Sequence, residues 1–147
     1  MNPAYAHRML HISYWEFFEK YYTPRLREMD LLLKTIEAPI SSAEAARVLS
    51  MPIPAIDRIM AAEQIGLIDR EGFLRILMNG NSSLCRLMQR ECMCGSPDRY
   101  SPANIAYIYG LLDGHVEDVC RKNGFADEVP AKSLPSLLSK IYIYILP

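Results

Sequence analysis

"SSAEAARVLSMPIPAIDRIM", residues 41–60, and "SPANIAYIYGLLDGHVEDVC", residues 101–120, share one pattern of small, apolar and capping residues. They lie sixty positions apart and align without a gap: Ser41 with Ser101, Ala43 with Ala103, Ala46 with Ala106, Val48 with Ile108. Met51 then aligns with Leu111, Ile56 with Val116 and Ile59 with Val119. The match is one of pattern more than identity, and each position has a geometric reason. Two helices crossing steeply on a short turn need a small side chain where they approach, and Ala46 and Ala106 stand there. Four residues on, the turn asks for a small residue or glycine, which Ser50 and Gly110 supply. Met51 and Leu111 are apolar plugs for the gap between the helices. Ile56 with Ile59, and Val116 with Val119, sit three apart and dock the second helix inward.

Outward from the first stretch, Pro24 suits the start of a helix. Leu26, Met29, Leu33 and Ile36 then form one apolar face. Ser41 or Ser42 can cap the first corner helix. Pro54 can start the second, and Gly66 ends it. Beyond lies "LIDREGFLRIL", residues 67–77. Its pattern predicts a β-hairpin with strands Leu67–Asp69 and Phe73–Leu77, Gly72 taking the left-handed position of the turn. Leu84, Leu87, Met88 and Cys92 predict a further helix, and Gly124 is a C-cap for the second corner.

Both stretches resemble the helix-turn-helix family motif, over about twenty residues each. With the preceding helix and the expected hairpin, the first copy resembles a winged-helix domain from Pro24 to Gly80. The resemblance implies a mainly α fold: a winged helix of three helices plus a β-hairpin, followed by a helical segment with a second helix-turn-helix-like unit. The expected divisions are an N-terminal aromatic helix at 1–23, a winged-helix-like domain at 24–80 and a helical segment at 81–147.

The two ends are the least regular parts. In "YWEFFEKYY", Tyr14, Phe17 and Tyr21 form one helical stripe and Trp15, Phe18 and Tyr22 another. Such a helix needs cover on two sides, from its own fold or from a second copy of the chain. Near the other end, Leu134, Leu137, Leu138, Ile141, Tyr142 and Ile145 share a helical stripe, while "IYIYI" alternates as a strand would. Helix is the expectation.

The resemblance implies that the second helix of each corner enters a DNA groove. In the first copy the outward candidates are Ile53, Ala55, Asp57, Arg58 and Ala61. The expected DNA-binding residues are Arg58 as base contact and Arg47, Arg70 and Arg75 as phosphate contacts, Lys34 adding a further charge. In the second copy Asp113, Glu117 and Asp118 crowd the helix start, and His115, Arg121 and Lys122 only partly offset them. The whole chain has 16 basic and 17 acidic residues, which gives no general attraction to nucleic acid or anionic membrane. Two functions follow as expectations. One is a transcriptional regulator binding double-stranded DNA through the first helix-turn-helix and wing, doubled in a homodimer through the N-terminal or C-terminal helix. The other is a protein–protein interaction adaptor, favoured by the apolar outward residues Ile53 and Ala55.

Catalysis is not expected, since phosphate loops, H-E-x-x-H and G-x-S-x-G motifs are absent from the sequence. No cofactor or metal is expected either. Cys85, Cys92, Cys94 and Cys120 lack the paired short spacing of zinc ligands and read as small apolar residues or free thiols. His7 and His11 are four apart, but no third ligand stands near. Without a membrane-spanning run or signal-peptide pattern, the expected location is cytoplasmic.

Overall fold

The computed structural model describes residues 10–95, 97–125 and 127–145. The fold is mainly helical, with nine α-helices among the described residues and two small antiparallel sheets. In chain order the first elements are β1 (Leu10–Ser13), α1 (Tyr14–Tyr21), α2 (Thr23–Thr35), α3 (Ser42–Leu49), α4 (Ile53–Ala62), α5 (Arg70–Asn79) and α6 (Ser83–Met93). They are followed by β2 (Arg99–Tyr100), α7 (Pro102–Tyr109), α8 (Asp113–Lys122), β3 (Val129–Pro130), α9 (Leu134–Leu138) and β4 (Tyr142–Ile145). The chain divides into two compact units, one of residues 22–96 and one of residues 1–21 with 97–147.

Each unit contains one corner, and the two are built alike. The Ser41 hydroxyl accepts a hydrogen bond from the Glu44 amide at 3.1 Å and caps α3, as Ser101 does from the Asn104 amide, also at 3.1 Å, for α7. Both first helices stop at a left-handed residue, Ser50 with φ 56° and Gly110 with φ 67°. The next amide then reaches back over the helix end: Met51 N–H to Ala46 C=O and Leu111 N–H to Ala106 C=O, each at 2.9 Å. Ala46 and Ala106 are buried, as are Ile56, Val116 and Val119, while Ile59 packs half-buried against the core. The likeness extends to the flanks. Ile40, before the first corner, bridges antiparallel to Ile68 after it; Tyr100, before the second, pairs with Val129 after it.

In the 22–96 unit, α2 to α6 enclose a core that includes Met29, Val48, Leu49, Ile56, Ile68, Phe73, Ile76 and Cys85. The expected hairpin is absent there, and a helix takes its place. Asp69 caps α5, its Oδ1 accepting the Gly72 amide at 2.8 Å. Phe73, Ile76 and Leu77 are then buried at helical spacing. Gly72 is not left-handed. It lies buried where an added Cβ would stand 2.8 Å from the Leu67 carbonyl oxygen. Close approach, not turn geometry, requires glycine at this position.

In the other unit, the aromatic segment is a strand followed by a helix. Ser13 ends β1 and caps α1, its Oγ accepting the Glu16 amide at 3.1 Å. Tyr14 is buried, and its ring meets Tyr109 edge-on at 5.7 Å, as Phe18 does at 5.9 Å. The helix expected near the other end is also corrected. It covers only α9, and "YIYI" forms β4, antiparallel to β1 with Ile12 opposite Ile143. Alternating β-branched and aromatic residues suit a strand once a partner exists, and β1 is that partner.

Candidate functional site

Helix α4 is the second helix of the first corner and carries the candidate site. Pro52 precedes it with extended backbone, and Pro54 lies in its first turn. Ile56 is fully buried and fixes which face points out. Ile53, Asp57, Arg58 and Ala61 are exposed. Ala55, expected outward, is instead 6% exposed and part of the core, because it adjoins Ile56 on the inward side of the turn.

The four arginines expected to contact DNA are not equivalent. Arg47, on α3, is clamped by two carboxylates: its guanidinium donates to Glu28 at 2.7 Å and to Glu44 at 2.8 Å. The hydrogen bond from Arg47 holds the Glu44 carboxyl below its usual range, and Arg47 in turn is held more firmly protonated. Arg70 and Arg75 do not lie on a hairpin, since α5 carries both. Arg70 Nε donates to the Leu33 carbonyl at 2.8 Å. Arg75 donates to the Glu63 carbonyl and reaches its carboxylate at 3.3 Å. Arg58 makes no hydrogen bond or ion pair with any described residue. Lys34 is paired with Asp30 at 2.8 Å. Of the four arginines, Arg58 alone has no hydrogen bond or ion pair with a described residue.

Arg58 lies on the wall of an open cleft of about 530 Å³ between α4 and the joint of α5 and α6. Met51, Ala55, Ile59 and Ala62 form its apolar side, and Glu63, Asn79 and Asn81 its polar rim. Sequence reading missed Asn79, the last residue of α5, and Asn81, in the turn after it, neither of which carries a periodic signal. The joint is held firmly. Gln89 donates to the carbonyls of Leu77 at 3.0 Å and Gly80 at 2.8 Å, and the Ser82 hydroxyl donates to Leu49 at 2.7 Å.

The corresponding helix of the second corner, α8, has an acidic exposed face. Arg121 and Lys122 both bond Asp118, at 3.0 and 2.9 Å, and with Lys122 first they hold its carboxyl below the usual range. Asp113 and Glu117 are exposed beside them. Among the described residues no group of three or more His, Cys, Asp or Glu side chains is placed to hold a metal. Cys85 and Cys120 are buried, and burial pushes both thiols up from their ordinary value. Of the histidine pair, His7 lies outside the described residues. No helix among the described residues is long and apolar enough to cross a membrane.

These features define a mainly helical chain with two like-built corners and an open cleft beside α4 lined by Arg58 and Glu63. No family model, curated protein or solved structure matches it.

Proposed function

We propose that the chain is a protein–protein interaction adaptor, acting by binding rather than catalysis, and that a partner docks on the outward face of α4. The scaffold is of helix-turn-helix type, with α5 where a winged helix would have its hairpin. One observation carries the reading: Arg47, Arg70 and Arg75 are engaged by acceptors of their own unit. A duplex-binding face needs several cations aimed at phosphates, and freeing Arg47 and Arg75 would take from Glu44 and Glu63 the cations they bond. Apolar side chains are available instead. Ile53 is 45% exposed at the start of α4, and an exposed apolar residue suits a protein partner better than a phosphate backbone.

DNA binding is the second reading, favoured by Arg58, which stands unpaired on the helix that such proteins place in the groove. A gel-shift titration with random duplex at low salt separates the two. The adaptor reading expects no retention at micromolar protein. Retention that falls by about 1 kcal/mol in Arg58→Ala would support the DNA reading in its place.

A further inference from the structure

We propose that the cleft beside α4 is the specificity pocket of this face, and that it takes an acidic side chain flanked by apolar residues on a partner peptide. The proposal rests on the adaptor reading and adds the chemistry of the partner. Its volume of about 530 Å³ lies within the range of ligand pockets. Ile59 and Ala62 supply its apolar surface, Met51 and Ala55 being nearly buried, and Arg58 lines it as a cation with no partner among the described residues.

The nearest reason for Arg58 to be silent would be Glu63, the one carboxylate lining the same cleft. Glu63 is occupied: its carboxylate and its carbonyl both accept from Arg75. An arginine fork beside an apolar wall matches a carboxylate bidentately, and partial desolvation by that wall strengthens the bond. Phosphate on a nucleic acid would use the guanidinium but leave the apolar wall facing a hydrated, charged backbone.

The opposite rim is preformed. Asn79 donates to the Arg75 carbonyl at 2.8 Å, and Asn81 follows Gly80, which is packed so tightly that a Cβ would lie 2.5 Å from Cys85 Sγ. With Gln89 and Ser82 fixing the same joint, little ordering is left for binding to impose.

The test is selection of a random dodecapeptide display library on the whole protein. Enriched sequences are expected to carry Asp or Glu next to Leu, Ile, Met or Phe. Synthetic copies should shift the amide resonances of Ala55, Ile59 and Ala62, and should bind Arg58→Glu about tenfold or more weakly. Changing the acidic residue of the peptide to its amide should weaken binding to a similar degree. Arg27→Glu, at an exposed position outside the cleft, is the charge control, and circular dichroism checks that both variants fold. Enriched peptides that bind Arg58→Glu unchanged overturn the cleft assignment and leave the adaptor reading standing. Absence of any enriched peptide also overturns the cleft assignment, and Arg58-dependent retention of duplex in the same preparation overturns the adaptor reading too.

Discussion

A single methyl group on Gly72 would stand 2.8 Å from the Leu67 carbonyl oxygen and 3.2 Å from the Asp69 carboxylate that caps α5. Neither atom is the loose end of a flexible side chain, so the first turn of α5 must move to admit it. Gly72→Ala is expected to cost about 1–3 kcal/mol, the range for overpacking a close contact. Gly66→Ala is the control, since nothing lies within 4 Å of its added Cβ, and it should change stability by no more than ~0.5 kcal/mol. Urea denaturation of the two variants beside the parent measures both. Equal stability of the two would remove close approach as the reason for glycine at position 72. The same attention to single atoms explains the arginines. Arg58 and Arg75 look alike in sequence, yet one lines an open cleft and the other is tied to Glu63.

Helices α2 and α3 are joined at their surface by the Glu28–Arg47–Glu44 cluster. Because Arg47 lowers the Glu44 pKa in the folded chain, the pair stabilises fully above the ordinary carboxylate range. That contribution is lost as pH falls through the lowered value. Thermal melts should therefore show Glu44→Gln less stable than the parent at neutral pH, with the gap closing as pH falls below the ordinary carboxylate range. A gap independent of pH would mean that the carboxylate charge is not what matters. The elements differ in how far they could be read from sequence. The two corners were legible because their signals are local: small residues at the crossing, a cap before and apolar residues three apart. Residues 70–79 were misread because Phe73, Arg75 and Leu77 alternate while Phe73, Ile76 and Leu77 recur helically. Burial of the second set, with Asp69 as cap, decides for helix. β4 was misread because its partner β1 lies far back in the chain. The site was half legible for a similar reason. Arg58 needs no partner to be found on α4, but Arg47 and Arg70 are silenced by acceptors 19 and 37 residues away.

At the level of the whole molecule, the chain is a nested pair. Residues 22–96 form one unit, and the segments before and after them together form the other. Each has its own buried side chains, Phe73 and Ile76 in the first, Leu137 and Ile141 in the second. Phe73→Ala removes a fully buried ring and is expected to cost about 3–5 kcal/mol. Hydrogen exchange followed by mass spectrometry should show the greater loss of amide protection within 22–96, and the smaller along β1 and β4. Uniform loss across both would mean that the two cores melt as one. The nesting also orders events during synthesis. The inserted unit holds all its helices in one continuous stretch and can close while the rest is still being made. Strand β1 emerges before it but meets β4 only after roughly 130 further residues have been translated. Until then β1 is a nascent strand without its partner, its ladder amides and carbonyls left to water.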